Sequence, residues 1–231
     1  MKSVGGGTPK ALLPVGDYTF IDWQLQWLKL LGVGNVILSL AHEGKIIEDH
    51  IEKQKKILDF SKLEYSYDGP ELLGTGGAIK NAAKLLEKDF LIIYGDSFLF
   101  IDLKDFKETH EKGGHPLTLS IFKNHDQGDK SNVIYKDGTL LKYDKVKKTK
   151  DMEYIDYGLS FVNRDYFLKN TPKGVFDFAS FIHETVSRKK ATPYVAKVMF
   201  HEIGSLEGYS RFLEMIEENN FDLKKLRPLV Q

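Results

Sequence analysis

The chain has 231 residues, 42% of them hydrophobic, and equal numbers of basic and acidic side chains, 33 of each, so its formal charge is zero. A balanced chain lacks the excess of clustered cations on which binding to a nucleic-acid backbone depends. The absence of cysteine excludes disulfides and thiolate metal sites and fits a reducing compartment. No apolar stretch approaches the ~20 residues of a membrane helix, and the start lacks the apolar core of a signal peptide. We therefore predict a cytoplasmic α/β protein with neither a nucleic-acid nor a membrane partner.

The first informative segment places glycines and a lysine ahead of the first predicted helix. Gly5, Gly6 and the glycine after them precede Pro9 and Lys10. Residues without Cβ let backbone N–H groups approach an anion closely, and the proline fixes the chain that presents the ammonium. The residues alone leave two readings open, an anion-binding loop and a flexible tail.

A series of helices and strands follows in the first half. Phe20, Trp23 and Trp27 repeat at helical spacing, and glycines at 32 and 34 end that helix. We expect the aromatic stripe to pack in the core rather than to stack on a base. Next come a strand over 36–40, a helix over 47–58 and a strand over 63–67, an alternation typical of βαβ units.

Two features near residue 90 indicate a cleft. The glycine turn of residues 73–78 (LGTGGA) runs into a helical pattern, so unpaired N–H groups should face outward at a helix start. The apolar run 91–94 then stops at Gly95-Asp96, the form of a buried parallel strand that offers a carboxylate at its carboxyl end. Ligands of open α/β sheets collect at that edge.

The second half contains more strands. We predict a strand over 117–122, a hairpin with Asp137-Gly138 at its turn, and a strand over 154–162. A helix over 178–187, capped by Asp177, a strand over 194–198 and a closing helix over 206–216 complete the pattern. There is no internal repeat or linker.

In this order the motifs resemble those of the sugar-1-phosphate nucleotidylyltransferase family, and most closely its short heptose 1-phosphate guanylyltransferase group. Four segments carry the resemblance over nearly the whole chain: residues 8–15 (TPKALLPV), 73–78 (LGTGGA), 94–96 (YGD) and 200–209 (FHEIGSLEGY). The resemblance implies a Rossmann-like α/β fold with a mixed, mainly parallel sheet flanked by helices. It also implies a single domain over 1–231, with a nucleotide-binding half at about 1–112 and a sugar-phosphate half at about 113–231.

The same resemblance implies transfer of a nucleotidyl group from GTP to a heptose 1-phosphate, with release of pyrophosphate. Such a cytoplasmic enzyme would use Mg²⁺, serve nucleotide-sugar synthesis for cell-surface polysaccharide and form a homodimer. The attacking phosphate oxygen is already an anion, so no protein base is needed, and catalysis reduces to alignment and charge neutralisation.

Residue roles also follow from the resemblance. Asp96 and Glu202 would hold the metal, Lys10 would contact the NTP phosphates, and Lys145 would bind the sugar phosphate. Of these residues, Lys10, Asp96 and Lys145 would be catalytic. The remaining assignments are nucleotide binding by Gly5, Gly6, Glu71, Gly74, Thr75 and Gly76, and sugar-phosphate binding by Lys145, Tyr157 and Gly158.

The residues themselves leave alternatives at four of these positions. Asp96 could cap the turn that follows its strand. Lys10 and Lys145 could be solvated, Lys145 as part of a basic run with three further lysines at 147, 148 and 150. Glu202 could be a surface carboxylate beside His201. The histidines at 125, 183 and 201 lack zinc-binding spacing, so we expect no zinc site.

Two departures from the family pattern define a rival hypothesis. The family's first strand and G-G-x-G-T-R-[LM] loop would precede this sequence, so we expect a shortened chain that lacks the arginine of that loop. Glu202 also stands where most members place an aspartate, so metal binding there would need a shifted backbone or a water bridge. The rival function is a non-catalytic nucleotide-sugar-binding or regulatory homologue. A glycosyltransferase is a third option, although no Asp-x-Asp pair occurs near Asp96.

Overall fold

The computed structural model describes residues 8–41, 43–124 and 129–219, excluding the side chains of 55–57. A 3₁₀ turn at Lys10–Leu12 precedes the regular elements, and another lies at Ala82–Lys84. The strands and helices are, in chain order, β1 (Pro14–Val15), β2 (Tyr18–Thr19), α1 (Phe20–Leu30), β3 (Asn35–Leu40), α2 (Gly44–Leu58), β4 (Lys62–Tyr67), α3 (Gly74–Asn81), β5 (Asp89–Ile93), β6 (Ser97–Phe98), α4 (Leu103–Gly113), β7 (Leu117–Lys123), β8 (Val133–Lys136), β9 (Thr139–Tyr143), β10 (Tyr154–Asn163), α5 (Arg164–Lys169), α6 (Phe178–Ser187), β11 (Ala191–Val195), β12 (His201–Glu202) and α7 (Leu206–Glu218).

The chain divides into two compact units, each assembled from separated segments. The first comprises Met1–Gly69, Gly95–Phe100 and Phe200–Gln231, and the second comprises Pro70–Tyr94 and Ile101–Met199. Among the described residues, no helix combines the length and apolar character that a membrane crossing requires. The prediction of one domain divided near residue 112 stays a prediction.

In the first unit, α1 begins with the capping box that its sequence allows. The N–H and the hydroxyl of Thr19 both donate to Asp22 Oδ2. In return the Thr19 side chain accepts the backbone N–H of Asp22, the third helical residue, so the first turn has fewer unbonded N–H groups. The predicted core role of the tryptophans is confirmed: Trp23 and Trp27 are 3% and 1% exposed, and Trp27 donates its indole N–H to Leu99 O. The predicted strands at 36–40 and 63–67 form the parallel pair β3–β4.

In the second unit, β10 is the centre of a six-stranded mixed sheet. The main order is β11-β7-β10-β8-β9, and β5 also pairs with β10. Of these pairs only β11–β7 is parallel. The predicted α/β class with a mixed sheet is confirmed, but the described pairs of this sheet are mainly antiparallel. The reason is that β10 runs opposite to both β5 and β7, and the β8–β9 hairpin returns on itself.

Individual elements of the second unit bear out most of the sequence pattern. Asp137 and Gly138 both have positive φ, as the tight hairpin turn requires, and Asp177 caps α6 by accepting the N–H of Ala179. The run before Asp96 is β5, which is antiparallel to β10 and only partly buried, so the predicted buried parallel strand is wrong. The strand predicted over 194–198 begins earlier, because an edge strand accommodates Pro193 without losing a needed N–H.

Candidate active site

Pairing of two short strands in the first unit places Asp96 next to Glu202. In β6–β12, Glu202 lies opposite Ser97 and His201 lies opposite Phe98. The N–H of Ile203 donates to the carbonyl of Asp96 over 2.9 Å, which extends the pairing by one step. Both acids are half-buried. Residues separated by more than a hundred positions are therefore fixed together by backbone hydrogen bonds.

Gly204 lies where the two carboxylates approach each other. A Cβ on Gly204 would collide with Glu202 Oε2 and lie 3.5 Å from Asp96 Oδ2. A side chain at this position would push the Glu202 carboxylate out of its present place, so the glycine leaves room for it. The two acids that the sequence singled out as a pair thus share one small space.

Glu202 uses its extra methylene to fold back onto the start of α7. Its Oε2 accepts the N–H of Gly204, and its Oε1 accepts the hydroxyl of Ser205 over 3.0 Å. Ser205 is also the N-cap of α7, accepting the N–H of Gly208. A Cβ on Gly208 would lie 2.9 Å from Glu202 Cδ, so this glycine also leaves room for the longer acid.

Lys10 contacts the same loop as the two acids. Its Nζ donates to the carbonyl of Gly204 over 3.0 Å, although the side chain is exposed. Lys10, Asp96 and Glu202 therefore all meet around Gly204, and we call this set the Gly204 cluster. His201 lies beside it but packs its ring against Phe100 and Phe212, and burial lowers its pKa, so it stays neutral at physiological pH.

The Gly204 cluster offers two carboxylates, which are fewer protein ligands than an all-protein metal cage uses. Among the described residues, no group of three or more histidine and acidic side chains is arranged to hold a metal ion. Mg²⁺ typically takes one or two carboxylates and completes its shell with water and substrate phosphates. A carboxylate offers about four lone-pair directions. Glu202, with one protein donor on each oxygen, therefore keeps lone pairs for a cation.

In the second unit, Lys145 is distinguished from the other lysines of its basic run by a buried acid. Its Nζ lies 3.6 Å from Oδ2 of Asp156, whose side chain is 3% exposed. It also lies 4.9 Å from the centroid of the Tyr94 ring, within cation–π range. The other three lysines of the run are exposed.

The turn that carries Lys145 is fixed by its neighbour Asp144. Asp144 Oδ1 accepts the N–H groups of Val146 and Lys147 over 2.9 and 2.8 Å, and these bonds lower the pKa of Asp144. Such a side-chain turn holds the backbone of an otherwise exposed loop. The acidic residue before Lys145 therefore has a structural role in presenting it.

Tyr157 and Gly158 lie on β10 beside this lysine's partner. Gly158 has φ +90° and lies where the β10–β7 register shifts, and its N–H donates to Asp156 Oδ1 over 3.0 Å. Tyr157 is fully buried. Its side chain therefore forms part of the core, and only the adjacent backbone is left to face a sugar.

The glycine turn of residues 73–78 differs from its prediction, because two of its backbone N–H groups donate to another segment of the protein. The N–H groups of Gly76 and Gly77 both donate to Phe176 O, and a Cβ on Gly74 would lie too close to that same carbonyl. Thr75 Oγ1 donates to Asp177 and accepts the N–H of Phe178. The predicted outward-facing N–H groups at Gly76 and Gly77 are therefore wrong, because the segment before α6 occupies them. Glu71 is exposed.

Some candidates lie elsewhere. Gly5, Gly6 and the histidine at 125 lie outside the described residues. His183 contacts the backbone O of Tyr143 through Nδ1. A cavity of about 450 Å³ in the second unit is lined by His110, Asp89 and Lys190 among others, and contains none of the predicted site residues.

Around Lys145, the second unit also contains groups that the sequence analysis does not predict. Asp156 and Tyr143 were not singled out, although Asp156 lies within the quoted segment 154–162. The sequence signal that could have identified Asp156 is an acid in an otherwise apolar predicted strand, two residues before a glycine. A carboxylate buried in a strand needs a hydrogen-bonding or charged partner.

Comparisons with known proteins agree with the motif order. No protein-family profile matches the chain. The D-glycero-α-D-manno-heptose 1-phosphate guanylyltransferase of Campylobacter jejuni is 29% identical over 92% of this chain and 93% of its own. The enzyme of the same name from Aneurinibacillus thermoaerophilus is 27% identical over 91% of this chain and 90% of its own.

Solved structures extend the likeness to three dimensions. HddC from Yersinia pseudotuberculosis superposes with a TM-score of 0.78 at 27% identity, covering 93% of each chain. The same protein complexed with GMP-PN gives a TM-score of 0.75. The chain therefore has the nucleotide-diphospho-sugar transferase fold, and over more than nine-tenths of its length it is close to the heptose 1-phosphate guanylyltransferases.

Proposed function

We propose that this chain is a nucleotidyltransferase that moves GMP from GTP to a sugar 1-phosphate, a heptose 1-phosphate being the first candidate. The observation that carries the proposal is the Gly204 cluster, which places two carboxylates and a lysine around one glycine in a chain that resembles a guanylyltransferase over 92% of its length. An oxygen of the sugar phosphate attacks the α-phosphorus of GTP, and pyrophosphate leaves.

Each side chain of the Gly204 cluster has a part in this reaction. Asp96 and Glu202 would hold Mg²⁺, which when bound neutralises charge on the nucleotide phosphates. Gly204 and Ser205 donate to the Glu202 carboxylate and limit the orientations that it can adopt before substrate binds. Lys10 adds a cation that reaches phosphate oxygens once it leaves the Gly204 carbonyl.

The second unit supplies the cation for the acceptor. The Lys145 ammonium would bind the phosphate of the sugar 1-phosphate, and the backbone around Gly158 would border the sugar. Holding the acceptor phosphate in place is catalytic in itself, because a bound and aligned nucleophile converts a bimolecular step into an effectively unimolecular one.

The test is pyrophosphate release by the purified chain. GTP, ATP, CTP, UTP and dTTP are each paired with heptose, mannose and glucose 1-phosphates, with Mg²⁺ or with EDTA. We expect release with GTP and a heptose 1-phosphate, and none with EDTA. Release with a different nucleotide would move the base assignment, and release with a different sugar would move the acceptor assignment.

A rival function follows from Glu202, which replaces the aspartate usual in this family. A non-catalytic nucleotide-sugar-binding homologue would release no pyrophosphate with any pair. It would nevertheless bind a GDP-sugar, as measured by isothermal titration calorimetry. Binding without pyrophosphate release would overturn the proposed activity in favour of this rival.

We also propose that the protein works in the cytoplasm, feeds cell-surface polysaccharide synthesis and forms a homodimer. A cytoplasmic location gives it access to GTP, and cysteine is absent from the chain. Light scattering coupled to size exclusion measures the mass directly. A single 26.4 kDa species would contradict the dimer.

A further inference from the structure

We infer that Asp156 is a positioning residue that holds the Lys145 ammonium in place for the sugar phosphate, with Tyr143 holding Asp156. This inference rests on the proposed function and adds two residues that the family motifs quoted above do not contain. All the groups involved lie in the second unit.

Asp156 is a buried charge whose partners are all specified. Its side chain is 3% exposed and lies on β10. The N–H of Gly158 donates to Oδ1 over 3.0 Å, the hydroxyl of Tyr143 donates to Oδ2 over 3.0 Å, and Lys145 Nζ lies 3.6 Å from the same Oδ2. A carboxylate buried this deeply requires such compensation, because its desolvation costs several kcal/mol.

Tyr143 is a permanent donor to this acid. It is 1% exposed, and burial together with the charge of Asp156 raises the pKa of its hydroxyl. A hydroxyl that stays protonated can donate to Asp156 throughout the working pH range. The orientation of the Asp156 side chain is therefore fixed by the Tyr143 hydroxyl as well as by the N–H of Gly158 on its own strand.

Asp156 has little capacity left for a ligand of its own. Three donors already approach its two oxygens, and almost none of its surface is accessible. Lys145, by contrast, has 39% of its side chain exposed. The acid therefore acts on substrate through the lysine, whose ammonium has room for a phosphate oxygen in addition to Asp156 and the Tyr94 ring.

A double-mutant cycle tests this arrangement. Asp156→Asn keeps the shape and the acceptor for Gly158 but removes the charge that attracts Lys145. We expect it to raise KM for the sugar 1-phosphate about tenfold while KM for GTP stays within about twofold. In a Lys145→Ala background the same substitution should change KM for the sugar phosphate by less than about twofold, because its route of action is gone.

The charge-matched control is Asp151→Asn. Asp151 is an exposed acid in the same lysine-rich loop, so its removal changes the net charge equally without touching the Lys145 pair. We expect wild-type KM values. Additive effects of Asp156→Asn and Lys145→Ala, or equal changes in both KM values, would overturn the positioning role and reduce Asp156 to a structural acid.

A second readout does not depend on activity. Reductive methylation followed by mass spectrometry should label Lys145 about threefold or more faster in Asp156→Asn than in the wild type, because the ammonium is no longer held at the carboxylate, while the exposed Lys147 reacts at an unchanged rate. An unchanged rate at Lys145 would overturn the inference even if no substrate pair is turned over. Failure of wild-type turnover together with faster labelling would count against the proposed function alone.

Discussion

The two units present charge in opposite ways. In the Gly204 cluster of the first unit, two half-buried carboxylates lie near each other, and the exposed Lys10 bonds a backbone carbonyl rather than either acid. In the second unit, a buried carboxylate is matched to one ammonium, and both are tied to tyrosines. The first arrangement has an excess of negative charge and suits a cation. The second presents a positive charge with a fixed position and suits an anion.

The same residue types, a carboxylate and a lysine, can therefore suit opposite partners according to what surrounds them. Glu202 is oriented by a backbone N–H and a serine hydroxyl, and within the part of the chain that the structure describes it forms no ion pair. Asp156 is paired by Lys145, so the outward-facing group is the ammonium. Neighbours on the fold, rather than residue type, decide which charge a substrate meets.

We expect the greatest loss of activity when an acid of the Gly204 cluster is replaced. Asp96→Asn keeps the shape of the side chain but removes half of the paired negative charge. We expect kcat to fall by about 10³-fold or more, because Mg²⁺ loses a ligand, while the melting temperature stays near that of the wild type. Pyrophosphate release measured across a Mg²⁺ titration checks this.

Asp17→Asn is the matched control, since Asp17 is an exposed acid of the same unit. It should retain wild-type kcat. A Mg²⁺-dependent rate retained by Asp96→Asn would remove Asp96 from the metal site and with it the contrast between the two units.

The next prediction tests whether Gly204 makes room for Glu202. In Gly204→Ala the new methyl would collide with the Glu202 carboxylate, whereas its 3.5 Å distance from Asp96 Oδ2 is an ordinary contact. We expect the Mg²⁺ concentration for half-maximal activity to rise about 10- to 100-fold, which is typical when a group that orients a metal ligand is disturbed. Gly34→Ala, whose Cβ would make an ordinary 3.5 Å contact, should not change it. Equal Mg²⁺ dependence in both variants would show that the acids do not need this gap.

A smaller effect separates structural from substrate-facing groups in the second unit. Thr75→Val removes the hydroxyl that bonds Asp177 and the N–H of Phe178. We expect a loss of about 1–2 kcal/mol in the free energy of unfolding, measured by urea titration, with KM for GTP unchanged. A raised KM for GTP at wild-type stability would return Thr75 to the nucleotide-binding residues that the sequence suggested.

The smallest effect concerns pH. Burial lowers the pKa of His201 in the first unit and of His110 in the second below the ordinary 6.5. Below pH 6.5 the unfolded chain therefore binds protons that the folded chain does not, so stability is present above that pH and falls as the pH drops towards the folded values.

His201→Phe should reduce this acid sensitivity, because its ring already packs against Phe100 and Phe212. The check is the urea midpoint of both proteins at pH 8 and at pH 5.5. An identical loss between the two pH values in both proteins would assign the sensitivity to His110 and other groups.

The sequence could predict those parts of the fold and site that local pattern specifies. The helix of the tryptophan stripe, the Asp-Gly hairpin and the Asp177 cap were predictable because each depends on residues a few positions apart. Asp96 and Glu202 could be paired by motif resemblance. The direction of β5 could not be predicted, because an apolar run has the same form in either orientation.

The amino-acid sequence was enough to predict a charge-balanced α/β protein with four nucleotidylyltransferase-like motifs in order. The folded chain was needed to learn that the amides of the glycine turn bond Phe176, that Glu202 folds back to Gly204, and that Lys145 rather than its lysine neighbours has a buried acid. The two kinds of feature differ in the sequence separation over which they act. Helical periodicity, turns and caps act over a few residues, whereas the partner of a buried charge is chosen by packing between segments far apart in the chain.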